Sequence, residues 1–204
     1  DSFAAKLAGR LAGTGGTLPE IRTFHSLGLR LVESFTRKGV LAQRRLVSDE
    51  GVKEKLAKQA LNHAYKEDKG NHAWASKEDL EEFLRFIELV KANIVPAAEC
   101  YEEQGLSRKY DYFLPAYDYF EKGRLRQNIR FFEDLLYEPV MALRESPQLA
   151  AWVADRVEHI IVDEYQDINE VQQQLLRFIA GSRAKVMVVG DVDQCIYEWR
   201  GARP

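Results

Sequence analysis

Carboxylates and amides follow two apolar, β-rich stretches near the C-terminal end of the chain. Asp163 and Glu164 come directly after residues 159–162, and Asp191 and Gln194 follow a second such stretch. In an open parallel sheet, ligands bind just outside the carboxyl ends of the strands. The two segments therefore predict one cleft that these four side chains enter, and such a cleft suits a nucleotide with its magnesium ion.

The adjacent acids Asp163 and Glu164 suit the hydrolysis of a phosphoanhydride bond. Mg²⁺ takes only one or two protein carboxylates, so one acid can lie near the metal while the other orients or deprotonates water. The alternative is that acids after a strand only cap the next helix, and for a bare Asp-Glu pair that interpretation would be preferred. Gln166 and Asp167 in the same segment, together with the second segment, favour hydrolysis.

The second segment combines a candidate phosphate sensor with aromatic residues. Gly190 allows a tight turn after the strand, and the amide of Gln194 can contact a terminal phosphate without adding charge; a polar turn residue is the alternative. Tyr197, Trp199 and Arg200 follow a few residues later. Aromatic rings and a guanidinium form a stacking platform for unpaired bases. The alternative is that the two rings belong to the core.

Residues 23–26 (Thr-Phe-His-Ser) are expected to close a short strand at residues 21–24. There, the hydroxyl of Thr23, the ring of Phe24 and the imidazole of His25 could contact a phosphodiester backbone or stack on a base. Capping of the following helix is the alternative.

Composition excludes several classes of protein. The 204 residues are 46% hydrophobic and 30% charged, which is ordinary for a soluble globular protein of one large or two small domains. Two cysteines and four histidines give neither a disulfide framework nor metal-ligand spacing. No apolar run is long enough to span a bilayer, and a cytoplasmic location is expected. The glycine-rich residues 13–17 lack the lysine of a phosphate-binding loop and predict a flexible turn.

Hydrophobic periodicity predicts an α/β domain interrupted by a helical insertion. Residues 1–35 and 128–204 form the α/β domain, and residues 36–127 form the insertion. The predicted strands are residues 21–24, 158–162 and 185–190. The predicted helices are residues 2–12, 25–36, 50–65, 76 to about 96, 110–122, 128–144, one that begins at Ser146-Pro147, and 169–180. Residues 76–79 (Ser-Lys-Glu-Asp) predict a capping box, Ser146 and Pro147 predict an N-cap and a first helical position, and residues 66–71 predict a polar loop.

Together these segments resemble the UvrD/Rep family of superfamily 1 DNA helicases. The motifs are highly specific in their spacing, and they extend from one end of the chain to the other. Residues 162–167 resemble motif II (Walker B), residues 190–202 motif III, residues 23–26 motif Ib, residues 2–7 the tail of motif Ia, and residues 129–136 the Phe-Asp-Asp-Leu-Leu segment ahead of motif II.

The resemblance implies a fold and a role for each candidate residue. The fold would be a partial RecA-like parallel sheet of the P-loop NTPase type, without its Walker A strand, and the insertion would correspond to subdomain 1B. For ATP hydrolysis, Asp163 would hold Mg²⁺, Glu164 would activate water and Gln194 would sense the γ-phosphate. For single-stranded DNA, the contacts would come from Tyr197, Trp199 and Arg200, with Thr23, Phe24 and His25 in addition.

By this resemblance the chain is part of an ATP-dependent 3′→5′ DNA helicase or translocase that acts on single-stranded DNA and on single-strand/duplex junctions. The chain alone is expected to be inactive, since the Walker A loop and the second motor domain are absent from it, and to self-associate through exposed sheet edges. Two alternatives stay open: a helicase-nuclease subunit, and a non-catalytic DNA-binding or scaffold protein. A Walker A sequence ahead of Asp1 in the parent reading frame would favour the motor.

Overall fold

A computed structural model describes residues 19–69, 75–106, 110–191 and 193, which form a helix-rich fold with short parallel strands. The strands in this part of the chain are β1 (Arg45–Leu46), β2 (Ile129–Arg130), β3 (His159–Val162) and β4 (Lys185–Val188). The helices are α1 (Phe24–Arg37), α2 (Glu50–Lys69), α3 (Lys77–Asn93), α4 (Ala97–Glu103), α5 (Phe113–Arg126), α6 (Asp134–Glu145), α7 (Pro147–Ala154) and α8 (Glu170–Ala180). None of these helices combines the length and the apolar character that crossing a membrane requires.

Side-chain caps fix the starts of several helices. At α3, Ser76 Oγ accepts from the Asp79 amide at 3.1 Å, and Asp79 Oδ2 accepts from the Ser76 amide at 3.0 Å. This reciprocal capping box was predicted from the sequence and is confirmed. Ser146 likewise caps α7 by accepting from the amide of Leu149, with Pro147 in the first turn.

The described residues form two apolar cores. The first core joins α2, α3 and α5 and is rich in aromatic rings. We call these three helices together with α4 the helical block (residues 50–126). The second joins α1, α6, α7 and α8. The absence of a side chain at Gly28 lets α1 approach α6 closely, because a Cβ there would collide with the carbonyl oxygen of Leu135. The fully buried Phe35 and Leu175 lie in this second core.

The strands form two parallel pairs. In the β1–β2 pair, Arg45 lies opposite Ile129, and in the β3–β4 pair, His159 lies opposite Lys185. Parallel neighbours need a crossover connection; it is supplied by the helical block in the first pair and by α8 in the second. The fold is thus mixed, with helices predominant and small parallel sheets, as the expected α/β class requires at this level of detail.

Several predicted boundaries were wrong. Residues 21–23 are not a strand, because Thr23 Oγ1 accepts from the Ser26 amide at 3.2 Å and the chain enters α1 at Phe24. The helix predicted from residue 128 begins only at Asp134, since the preceding residues pair with β1. Helix α2 continues through the predicted loop to Lys69. The helix predicted over residues 2–12 and the turn over residues 13–17 lie outside the described residues.

A buried charge cluster joins the helical block to α6. Its members are Lys91 of α3, Glu121 and Arg124 of α5, Arg130 of β2, and Asp134 and Glu138 of α6. Lys91 Nζ lies 2.5 Å from Asp134 Oδ1 and 2.8 Å from Glu121 Oε1. Arg124 and Arg130 both donate to the Glu138 carboxylate, at 2.8 and 2.7 Å. Every charge of the cluster therefore faces an opposite charge, as burial demands.

The cluster should make the stability of the fold fall at acid pH. Burial alone would raise the pKa of Glu121, but the charges of Lys91 and Arg124 outweigh it and lower that pKa to about 2 from the ordinary value of 4.5. A carboxylate whose pKa falls on folding stabilises the folded state above its unfolded pKa and loses that contribution as the pH falls towards its folded pKa. We expect the free energy of unfolding to drop between pH 4.5 and 2, and Glu121→Gln to flatten this part of the curve. Denaturant titrations at a series of pH values measure it.

The matched control is Glu81→Gln, which removes an exposed carboxylate that pairs with Lys77 on the surface. Its curve should follow that of the unsubstituted chain. If the free energy of unfolding falls equally with pH in Glu121→Gln and in the unsubstituted chain, Glu121 does not cause the loss of stability at acid pH.

The β3–β4 pair should make the isolated chain self-associate. Each of these strands pairs with one partner only within the described residues, and apolar side chains on them are exposed: Ile161 by 74% and Met187 by 60%. Unpaired strand edges with apolar surface favour edge-to-edge pairing. We expect the mass measured by light scattering to rise with concentration, and Ile161→Lys to suppress that rise.

Leu125→Lys is the control, because Leu125 is another exposed apolar residue (43%) and lies on α5 rather than on β3 or β4. It should leave the rise in mass unchanged. A monomer at every concentration would rule out association through β3 and β4.

Candidate functional site

The parallel register of β3 and β4 brings the two predicted segments to one edge of the sheet. Val162 lies opposite Val188 at the carboxyl ends of the strands. Beyond the strands, the Val189 amide donates to the Val162 carbonyl at 2.8 Å, and the Tyr165 amide donates to the Val189 carbonyl at 2.9 Å. The backbone after Asp163 and the backbone before Asp191 are therefore neighbours.

Gln166 links the two segments through its side-chain amide. It is 4% exposed; its Nε2 donates to Glu164 Oε2 at 2.7 Å, and its Oε1 accepts from the Asp191 amide at 3.0 Å. Sequence reasoning used Gln166 only as support for the neighbouring acids and gave it no role. The feature that could have identified Gln166 is its side-chain amide, which can donate to a carboxylate and accept from a backbone amide at the same time. Gln166 positions the Glu164 carboxylate.

Glu164 has an uncommon backbone conformation that turns the chain after β3. Its φ of 52° and ψ of 44° lie in the left-handed region, which residues other than glycine seldom occupy. The Glu164 amide donates to Asp163 Oδ1 at 3.1 Å. Both side chains are exposed, so the turn presents two carboxylates to solvent side by side. Strained positions of this kind are common at functional sites.

Helix capping does not account for the two acids. Helix α8 is capped by Asn169, whose Oδ1 accepts from the Gln172 amide at 3.2 Å, while Gln172 Oε1 accepts from the Asn169 amide at 2.9 Å. Glu164 precedes a single turn of 3₁₀-helix, Tyr165–Asp167, but its side chain makes no capping hydrogen bond there. The carboxylates are thus available for other ligands.

The chemistry of this edge follows from its donor set. Two exposed carboxylates after a strand supply the oxygen ligands that Mg²⁺ prefers, and Mg²⁺ needs only one or two of them from a protein. The residues present therefore fit a magnesium ion with a phosphate ligand. A carboxylate held by an amide can also accept a proton from water.

The residues predicted to contact DNA at the start of α1 differ in their surroundings. The Thr23 hydroxyl caps the helix, so the capping alternative describes this residue. Phe24 packs against the second apolar core. His25 stacks on Phe132, with ring centroids 4.0 Å apart and planes 14° apart, and burial lowers the pKa of its imidazole. Of the three, His25 presents a ring as part of an aromatic stack.

The family model of the UvrD/REP helicase N-terminal domain matches residues 3–204. The chain belongs to this family. Membership confirms the resemblance inferred from residues 162–167 and 190–202.

Among the similar proteins are helicases of several bacteria. ATP-dependent DNA helicase Rep of Escherichia coli (strain K12) is 29% identical over 185 residues, which cover 90% of this chain and 26% of that protein. Rep of Buchnera aphidicola subsp. Acyrthosiphon pisum (strain APS) is 30% identical over 92% of this chain and 28% of its own length. DNA helicase II of Haemophilus influenzae (strain ATCC 51907 / DSM 11121 / KW20 / Rd) is 27% identical over 90% and 24%. The chain thus spans about a quarter of the length of these relatives.

Four of the residues predicted for this UvrD/REP domain lie outside the described residues: Gln194, Tyr197, Trp199 and Arg200. The described part of their segment ends at Asp193, whose amide donates to Asp191 Oδ1 at 3.0 Å. The segment that leads to the four residues therefore begins beside Gln166, at the edge that carries Asp163 and Glu164.

Gly190 should be essential for the contact between the two segments of the UvrD/REP domain. A Cβ at this position would lie 2.5 Å from Gln166 Oε1 and 3.2 Å from the backbone nitrogen of Tyr165. We expect Gly190→Ala to break the bond from the Asp191 amide to Gln166 and to destabilise the fold by about 1–3 kcal/mol. Hydrogen exchange of the Asp191 amide and denaturant unfolding measure the two effects.

Gly51→Ala is the matched control, since Gly51 lies in the first turn of α2 and the nearest neighbour of an added Cβ is the end of the Asp49 side chain, at 3.1 Å. This variant should unfold at or above the midpoint of the unsubstituted chain. Unchanged protection of the Asp191 amide in Gly190→Ala would contradict the proposed clash.

Proposed function

We propose that the chain is part of the first motor domain of an ATP-dependent 3′→5′ DNA helicase or translocase, which couples ATP hydrolysis to movement on single-stranded DNA and to duplex unwinding. The observation that carries the proposal is the junction at the edge of the β3–β4 pair, where Gln166 joins the Glu164 carboxylate to the Asp191 amide. Family membership and the names of the relatives support the same activity.

The proposed domain organisation assigns residues 1–35 and 128–204 to a partial RecA-like motor domain and residues 36–127 to a helical insertion of the 1B type. Two separate apolar cores support this division. So does the β1–β2 pair, because it lies where the chain enters and leaves the helical block. We also propose that the sheet of this motor domain lacks its Walker A strand in the 204-residue chain.

In the proposed reaction, Asp163 holds Mg²⁺ and Glu164 accepts the proton of the attacking water. Bound Mg²⁺ would neutralise charge on the β- and γ-phosphates of ATP. Gln166 donates to Glu164 Oε2 and so fixes the direction in which that carboxylate faces. Gln194 is proposed to sense the γ-phosphate.

The proposed DNA contacts come from Tyr197, Trp199 and Arg200, with Thr23, Phe24 and His25 in addition. The first three follow Gln194 within six residues, so a change of the nucleotide can reach the bases through a short segment. Single-strand/duplex junctions are the proposed substrate, with the helical block facing the duplex.

The decisive experiment is a DNA-stimulated ATPase assay on the whole protein. We expect hydrolysis that needs Mg²⁺ and rises when single-stranded DNA is added. The 204-residue chain by itself should hydrolyse no ATP, because it holds no Walker A loop. DNA binding by the whole protein without any ATPase activity would favour a non-catalytic scaffold on the same fold.

A further inference from the structure

Helix α7 is apolar on nearly every side but is only partly enclosed. Of its eight residues, only Leu149 and Val153 are buried. A helix that is hydrophobic all round is usually covered on all sides, whereas α7 packs against α6 and α8 and leaves one side open to solvent. We call that side the α7 surface; it consists of residues 150–152 and 154–156.

A pocket of about 260 Å³ lies on one flank of the α7 surface, between α7 and α8. Small or apolar residues line most of it: Ala150, Ala151, Ala154, Phe178 and Gly181. Arg177 and Arg183 line the rest with Asp155 and Ser182. Arg183 pairs with Asp155, but Arg177 donates to the neutral Gln173 Oε1 at 2.9 Å. The pocket is smaller than a typical small-molecule site and suits one large apolar side chain beside a guanidinium.

Trp152 carries two cations on the other flank of the α7 surface. Lys38 Nζ lies 4.2 Å from the centroid of its ring, and the guanidinium carbon of Arg156 lies 3.9 Å from it. Cation–π attraction favours this arrangement. Trp152 also packs against the second apolar core, so little of the ring remains for a nucleic-acid base. Both cations are exposed, and neither has an ion-pair partner among the described residues.

The charges and the pocket together favour an acidic peptide over DNA. The charged side chains that line the pocket or lie over the Trp152 ring are four cations and one carboxylate, that of Asp155. A DNA strand would leave the apolar pocket unfilled and bring its phosphates towards Asp155. An acidic peptide instead fills the pocket with one apolar side chain and places its carboxylates on the cations. Recognition of acidic motifs by arginine clusters is a recurring mode of peptide binding.

We propose that the α7 surface binds an acidic segment of a partner protein. The segment places one large apolar side chain in the pocket, and its carboxylates contact Lys38, Arg156 and Arg177. Both flanks belong to one helix about 12 Å long, so about four extended residues are enough to span them. This binding goes beyond the proposed function and does not depend on ATP hydrolysis.

The test measures binding of two fluorescein-labelled peptides to the whole protein by anisotropy. One peptide is a run of aspartates with a central leucine, and the other has alanine in place of that leucine. We expect the leucine peptide to bind about 10-fold more tightly, because only leucine fills the pocket. Ala151→Trp fills the pocket from an exposed position and should abolish this preference. Lys38→Gln combined with Arg156→Gln should weaken binding of both peptides about 2- to 30-fold.

The matched controls are Ala98→Trp on α4 and Arg126→Gln on α5. Ala98 is exposed, and the guanidinium of Arg126 lies 5.8 Å from the ring centroid of Tyr119, so both changes are repeated within the helical block. Both control variants should bind the leucine peptide like the wild type.

Three results would overturn the proposed site. The first is a whole protein that does not bind the leucine peptide. The second is a preference for leucine that survives in Ala151→Trp. The third is a combined Lys38→Gln and Arg156→Gln variant that binds the peptides normally but binds labelled oligothymidylate more weakly, because the α7 surface would then bind nucleic acid.

Discussion

Glu164→Gln is expected to reduce steady-state ATP hydrolysis by the whole protein about 10²- to 10⁴-fold while ATP binding is retained. Glutamine has the shape of glutamate and can still accept the bond that Gln166 Nε2 donates at 2.7 Å. It cannot accept a proton from water, so the loss falls on turnover. Hydrolysis is measured with saturating single-stranded DNA, and binding is measured by titration with a fluorescent ATP analogue.

Glu170→Gln provides the control for this substitution. Glu170 lies six residues away in the first turn of α8, and its Oε1 accepts from Gln174 Nε2 at 2.7 Å, so it carries a similar charge outside the candidate site. Its turnover should equal that of the wild type. If Glu164→Gln retains full turnover, Glu164 is not the base that activates water.

Asp134→Ala is expected to destabilise the fold by about 3–5 kcal/mol, because it leaves a buried lysine with only one of its two carboxylate partners, Glu121. Asp134 is fully buried and Lys91 is 1% exposed. Besides Lys91, Asp134 binds Arg124 NH1 at 3.2 Å and accepts from the Phe131 amide at 2.8 Å. For a chain of this size the loss corresponds to a fall in Tm of roughly 6–20 °C. Thermal and denaturant unfolding both measure it.

Two comparisons make this result specific to the buried charge cluster. Lys77→Ala removes an exposed pair, with Lys77 Nζ 3.5 Å from Glu81 Oε1, and should change stability by less than about 0.5 kcal/mol. The double variant Lys91→Met with Asp134→Leu removes both charges and should recover much of the loss. A cost for Asp134→Ala no larger than that for Lys77→Ala would show that the cluster does not hold the fold together.

Local patterns in the sequence predicted the features that local physics decides. Ser76 and Ser146 were recognised as helix caps because a cap needs only residues three positions apart. The two motif segments were expected to meet because parallel strands end at a common edge, and β3 and β4 pair in that register. The family followed from the same segments. The roles of Asp163, Glu164 and Gln194 stay predictions until the variants are measured.

The features that the sequence did not predict depend on residues far apart in the chain. Residues 21–24 have the apolar character of a strand, but the cap formed by Thr23 determines the outcome. Strands β1 and β2 have two residues each, too few for any periodicity. They form because two segments that are distant in the sequence meet in space, where the Arg45 amide donates to the Asn128 carbonyl. The buried charge cluster brings together residues of α3, α5, β2 and α6, which no local pattern connects.

Pairing of β1 with β2 brings the two ends of the helical block together. The chain enters the block after Leu46 and leaves it before Ile129. The Val47 amide donates to the Arg130 carbonyl at 2.8 Å and so holds the entry and the exit together. Because its two ends are neighbours, a change of length inside the helical block need not move β3 or β4. The positions of Asp163 and Asp191 after those strands are then kept.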